Sequence, residues 1–127
     1  MLVIDDDNAV RQTVSTALTL NGFEVTEFDN GDAAIKEMAS HFDLVICDLF
    51  MPDTDGVATI LAIGKTHPTI PIILVTGGGR HFPVGGEGLE DLLKSVEFFG
   101  VTHFLMKPFR PSQLIDLVKR ALSPAVQ

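Results

Sequence analysis

The chain opens on a short apolar run, Leu2, Val3 and Ile4, that breaks off at three consecutive aspartates, Asp5, Asp6 and Asp7. A brief β-branched stretch of this kind predicts a strand. After it, Val10, Val14, Ala17 and Leu18 recur at helical spacing until Asn21–Gly22 stops the pattern. Residues 23–28 alternate as a strand does. Residues 29–39 return to a helical period, with Ala34, Ile35 and Met38 turned inward. Three further apolar runs follow: 42–48 ending at Asp48, 71–76 ending at Thr76, and 101–107 ending at Lys107. A helix is expected from about Gly56, another carries Leu89, Leu92, Leu93 and Val96 on one face, and a last one carries Leu114, Leu117, Val118, Ala121 and Leu122. Phe98 and Phe99 follow the second of these.

Five strands alternating with about five helices predict an α/β protein. Runs that are apolar throughout are buried on both faces, so helices must cover both sides of a parallel sheet. The expectation is an open, doubly wound sheet forming one domain over residues 1–122, with 123–127 as a tail or the start of a linker. The length of 127 residues suits one such domain.

Composition removes several function classes. Apolar residues make up 46% and charged residues 20%, which is a globular balance. The formal net charge is −8 with no basic stripe, which argues against direct nucleic-acid binding and against anionic membranes. No apolar run is long enough for a transmembrane helix, and no signal-peptide pattern opens the chain. Trp and Tyr are absent, which weighs against a flavin site. The single cysteine, Cys47, lies inside an apolar run and reads as a buried structural thiol. His41, His67, His81 and His103 have no ligand spacing. The glycines at 77–79 lack the GxxxxGK[ST] pattern of a nucleotide-binding loop.

In open α/β sheets, ligands bind beyond the carboxyl ends of the strands, at the point where strand order reverses. Asp5–Asp7, Asp48, Thr76 and Lys107 all stand at strand ends and therefore share that edge. Clustered carboxylates suit a hard divalent cation such as Mg²⁺. A lysine ammonium suits a phosphoryl oxygen, and an aspartate can accept a phosphoryl group as an acyl phosphate. Plainer roles compete at some positions. Asp7 or Asn8 can cap the following helix, Asp53 fits a turn, Asp55 fits a cap before Gly56, and Met51 and Pro52 fit loop geometry.

The segments Val3-Ile4-Asp5-Asp6-Asp7, Asp48 to Gly56 ("DLFMPDTDG"), Ile73 to Gly77 ("ILVTG") and Phe104 to Phe109 ("FLMKPF") together resemble the receiver domain of two-component response regulators, similar to the single-domain chemotaxis regulator. The resemblance spans essentially the whole chain. It implies a flavodoxin-like sheet of order 2-1-3-4-5, phosphorylation at Asp48, and Mg²⁺ (or Mn²⁺) held by Asp6, Asp48 and the backbone carbonyl of Phe50, with Asp5 acting through water. It also implies that Lys107 pairs with Asp48 and then with the phosphoryl group, and that Thr76 and Phe104 form the switch. Asp7, Gly77 and Pro108 are supporting residues, the last through a cis Lys107–Pro108 peptide. The partners implied are a sensor histidine kinase or phosphotransfer protein, and an output reached through the fourth helix, last strand and last helix. The domain would be cytoplasmic, and its self-phosphorylation and hydrolysis weak.

Two features depart from the usual pattern. Phe50 is bulky where a smaller or polar residue is common, and its ring could shield an acyl phosphate or hinder a phosphatase. The glycine-rich stretch 77–88 lengthens the segment after Thr76 and is expected to form a long, mobile loop. It keeps open a phosphorylation-independent interaction module as the alternative reading. A Mg²⁺-dependent phosphatase would need a second carboxylate where Phe50 stands. The sequence fits either a complete single-domain regulator or the receiver of a longer one.

Overall fold

In the computed structural model, residues 1–37, 42–51, 54–76 and 103–123 are described, with the backbone alone at 50, 51, 54–57 and 76. Five parallel strands form the main sheet: β1 (Leu2–Ile4), β2 (Thr26–Phe28), β3 (Val45–Asp48), β6 (Ile72–Thr76) and β7 (His103–Met106). Their order is β2-β1-β3-β6-β7, which is 2-1-3-4-5 when these five alone are counted. β4 (Phe50–Met51) and β5 (Thr54–Asp55) form a small antiparallel hairpin just after β3. Four helices lie among the described residues: α1 (Asn8–Leu20), α2 (Gly31–Glu37), α3 (Gly56–Thr66) and α4 (Pro111–Leu122). The glycine-rich stretch 77–88, the helix expected over 89–96, and Met38, His41, Pro52, Asp53, Gly77, His81, Phe98 and Phe99 lie outside the described residues.

The alternation of side chains along each strand divides the core in two. Leu2, Ile4, Val45, Cys47, Ile72 and Leu74 face one way and pack with Ala34 of α2 and Ile60 and Ile63 of α3. Val3, Ile46, Ile73, Val75 and Leu105 face the other way and pack with Val14, Ala17 and Leu18 of α1 and Leu114, Ile115 and Val118 of α4. Helices therefore cover both faces, as uniformly apolar strands require. Cys47 is fully buried, and burial pushes its thiol far above the ordinary range, with the charges of Asp48 and Asp5 adding to the effect. It is an inert core residue.

Local chemistry sets the element ends. Asp7 caps α1, its carboxylate accepting from the Ala9 and Val10 backbone N–H groups at 2.9 and 3.3 Å. At the other end Gly22 takes φ +88°, a conformation only glycine adopts cheaply. Its N–H donates to the Thr19 carbonyl, and the Phe23 N–H reaches back to the Leu18 carbonyl, closing the helix with a Schellman turn. Asn30 caps α2 through the Ala33 N–H at 2.9 Å.

Three expected boundaries shift. The strand read over 23–28 forms only at Thr26–Phe28, because the Phe23 N–H is committed to the helix end. The run 42–48 becomes a strand at Val45, although Leu44 is already buried. The last strand stops at Met106, so Lys107 stands one residue past it.

Candidate functional site

The strand order reverses between β1 and β3, and the two acidic strand ends meet there. Asp5 extends the β1–β2 ladder by one hydrogen bond, its N–H donating to the Phe28 carbonyl at 3.1 Å. Its side chain then leaves the sheet, and Oδ1 accepts from the Asp7 N–H at 2.9 Å. Asp48 is the last residue of β3, and the Leu49 N–H continues the ladder to the Val75 carbonyl at 2.9 Å. Both aspartates are only 3% exposed, which is unusual for carboxylates and requires compensation.

Lys107 supplies it. From just beyond β7 its ammonium Nζ lies 3.0 Å from Asp5 Oδ2 and 3.2 Å from Asp48 Oδ2. β7 and β3 are two strand spacings apart, roughly 10 Å. A lysine's long stem bridges that gap with its charge at the tip. The pairing with Asp48 was expected, whereas that with Asp5, the shorter of the two, was not. The peptide between Lys107 and Pro108 is cis.

The charges perturb one another. Burial holds the Asp5 carboxyl above its ordinary range, and the neighbouring Asp48 charge adds to this, against the Asp7 N–H and Lys107. Asp6 is also raised, first by desolvation and then by the Asp5 charge. Burial disfavours the charged form of Lys107, yet the two carboxylates and the hydrogen bonds to them outweigh it and hold its pKa above the usual lysine value.

Carboxylate oxygens of Asp5, Asp6 and Asp48 all lie within 4.8 Å of one another. Three hard oxygen donors that close, with two of them buried, suit a small divalent cation that keeps part of its water shell. The residues therefore fit a divalent metal. Asp7, by contrast, commits Oδ1 to the helix cap and is not one of the three grouped carboxylates.

The other expected site residues fall around this centre. Thr76 ends β6, in register with Met106 and one strand over from Asp48. Phe50 opens the hairpin two residues after Asp48, paired with Asp55. Phe104 is half-buried against the α2–α3 side of the core. Pro108 is exposed and follows the lysine. Gly77 lies outside the described residues.

One contributor was missed. Arg11 of α1 donates from Nη1 to the backbone carbonyl of Asp5 at 2.6 Å. Its signal in the sequence was faint: a lone cation one helical turn past three aspartates reads as a solvated helix residue.

A family model described as the response regulator receiver domain matches residues 1–119. Among curated proteins, the chain is 36% identical over 117 residues to the probable transcriptional regulator ycf27 of Cyanidium caldarium, covering 90% of this chain and 42% of that protein. It is 32% identical over 124 residues to the DNA-binding transcriptional regulator NtrC of Salmonella typhimurium, covering 95% of this chain and 24% of that protein. The chain thus spans less than half the length of these relatives. Among solved structures, the receiver domain of NtrX from Brucella abortus superposes with a TM-score of 0.77 at 30% identity, covering 95% of this chain and 96% of that one.

Proposed function

Since the chain belongs to the response regulator receiver domain family, we propose that Asp48 is its phosphoacceptor, that Mg²⁺ is the metal of the Asp5–Asp6–Asp48 cluster, and that Thr76 and Phe104 relay the modified state. One observation carries the reading. Lys107 Nζ stands 3.2 Å from Asp48 Oδ2 and 3.0 Å from Asp5 Oδ2, beside three carboxylates grouped within 4.8 Å.

The chemistry assigns work to each residue. An Asp48 oxygen attacks the phosphorus of the donor, the bond to the donor's leaving group breaks, and a mixed acyl phosphate forms. Asp6, Asp48 and the backbone carbonyl of Phe50 would hold the cation, with Asp5 acting through water. Mg²⁺, when bound, neutralises charge on the transferring phosphoryl oxygens. The Lys107 ammonium, already beside Asp48, passes from the carboxylate to a phosphoryl oxygen without crossing the site. The Thr76 hydroxyl donates to another phosphoryl oxygen, and Phe104 turns inward with it, so that phosphorylation selects one state of an existing equilibrium. Self-phosphorylation and hydrolysis are weak, and the lasting product is a conformation.

The donor is a sensor histidine kinase or a histidine phosphotransfer protein. The output leaves through the face that includes β7 and α4, where Met106 is 58% exposed. That the relatives include transcriptional regulators more than twice as long fits an output carried outside the receiver. We further place the domain in the cytoplasm, with its phosphodonor; no described helix is long and apolar enough to cross a membrane.

Intact-mass measurement after incubation with acetyl phosphate and Mg²⁺ tests the reading. Wild type gains the mass of one phosphoryl group, Asp48→Ala gains none, and Asp6→Asn gains it far more slowly. A wild-type protein that stays unmodified under these conditions would favour a phosphorylation-independent interaction module on the same fold.

A further inference from the structure

Asp5 is tied at every polar group it owns. Its N–H goes to β2, its Oδ1 to the Asp7 N–H, its Oδ2 to Lys107, and its carbonyl to Arg11. The first three are ladder, turn and charge pairing. The fourth is different, because there β1 leaves the sheet and a side chain takes the place of a strand neighbour.

We propose that Arg11 is a positioning residue for the metal-binding aspartates, acting through the Asp5–Asp6 peptide unit. The inference rests on the receiver reading above. The Asp5 carbonyl and the Asp6 N–H share one rigid plane. The orientation of that plane fixes ψ of Asp5 and φ of Asp6, and so decides where the Asp6 carboxylate points relative to those of Asp5 and Asp48. Asp6 is exposed, so the direction of its carboxylate depends strongly on its backbone.

The guanidinium is itself braced. Nη1 donates to the Asp5 carbonyl at 2.6 Å, Nη2 donates to Asn8 Oδ1, and Nε lies 3.6 Å from Glu27 Oε1 on β2. Three acceptors on the β1 end, the first turn of α1 and the edge strand are thus joined by one planar fork. The arginine side chain is 14% exposed, whereas that of Glu27 is 41% exposed and Asn8 lies at the surface, so the guanidinium is shielded mainly on the side of the Asp5 carbonyl. A lysine could reach the carbonyl but could not span all three acceptors.

Charge and position make opposite predictions. A cation this near a metal site repels the metal, so if charge alone mattered, removing it would tighten binding. If Arg11 positions the peptide, removing the fork loosens binding whether or not charge is kept. Losing an outer partner of a metal ligand commonly costs 10–100-fold in affinity, and Arg11 acts at one remove through backbone, so about 10-fold is expected.

The test is Mn²⁺ titration followed by electron paramagnetic resonance, suited to a chain that has no Trp or Tyr to report binding. Arg11→Gln and Arg11→Lys should both bind Mn²⁺ about 10-fold more weakly than wild type, and Glu27→Gln, which loosens the brace, should weaken it by less. At saturating Mn²⁺ the rate of acetyl phosphate uptake should recover most of the way to wild type, splitting affinity from turnover. Unchanged Mn²⁺ affinity in both arginine variants, with only a lower melting temperature, overturns the inference and leaves Arg11 a stabilising residue. Tighter binding by Arg11→Gln alone overturns it in favour of a charge effect. Should Arg11→Gln fail to fold, Arg11→Lys and Glu27→Gln decide the matter. A wild-type protein that takes up no Mn²⁺ overturns the metal-site reading itself, and the inference with it.

Discussion

At the scale of the residue, Lys107 balances the site. Asp5 and Asp48 are buried side by side, and the lysine is the cation placed between them. Removing it leaves two buried carboxylates facing each other. Breaking a fully buried pair costs 3–5 kcal/mol; Lys107 retains some solvent contact, so Lys107→Ala should destabilise the metal-free protein by about 2 kcal/mol. The same substitution removes a competitor for the carboxylates, so Mg²⁺ should bind at least as tightly and recover much of the lost stability. Chemical denaturation with and without Mg²⁺ checks both parts. A metal-free Lys107→Ala as stable as wild type would show that the carboxylates do not need the lysine in the resting state. The sequence made this residue legible through its place at a strand end and through the family resemblance. The Lys107–Asp5 pairing and the Arg11 clamp were not legible, because both depend on how a side chain leaves its backbone and not on where the residue stands in the pattern.

At the scale of the element, the closing turn of α1 carries a measurable strain requirement. A Cβ at Gly22 would meet no neighbouring atom within 4 Å, yet the φ of +88° is unfavourable for any side chain. Gly22→Ala should therefore cost about 1 kcal/mol through backbone conformation alone. It should leave Mn²⁺ affinity unchanged, since Gly22 lies at the opposite end of α1 from Asp5–Asp7. Denaturation and metal titration on the same variant separate the two; a loss of metal affinity would mean that α1 moves as a lever on the site. This turn also explains why strand boundaries were the less legible part of the fold. The apolar runs of β1, β3 and β6 stood out because both of their faces are buried. Alternation over 23–28 suggested a longer β2, but the Phe23 N–H was already committed to the Leu18 carbonyl, and the ladder begins only where the Thr26 N–H reaches the Met1 carbonyl at 2.8 Å. The β4–β5 hairpin had no readable period, because two-residue strands are shorter than any pattern.

At the scale of the whole molecule, two apolar clusters hold a five-stranded sheet whose carboxyl edge gathers charge. The clusters supply the stability that the edge consumes, since crowding ionised carboxylates works against folding. The sign of the pH dependence follows. Burial, with the neighbouring carboxylates adding to it, raises the Asp5 and Asp6 pKa values above the ordinary aspartate value of 3.8. Between 3.8 and those raised values, the native state binds more protons than the unfolded state. Stability is thus fully present below 3.8 and lost as pH rises through the folded values. Lys107, raised above 10.5, acts in the same sense at the alkaline end, where its contribution disappears as pH climbs through its folded value. A divalent cation reverses the acidic part, because it binds the ionised carboxylates and competes with protons. Stabilisation by Mg²⁺ should therefore be small at acidic pH and grow as pH rises through the raised folded values, while the contribution of these two carboxyls to metal-free stability falls over the same interval. Denaturation curves across that range, with and without Mg²⁺, would show the two profiles diverging. Asp6→Asn should narrow the divergence by removing one of the two titrating carboxyls. A Mg²⁺ effect of constant size across the interval would mean that the cation binds elsewhere on this acidic chain, where proton and metal do not compete for the same oxygens.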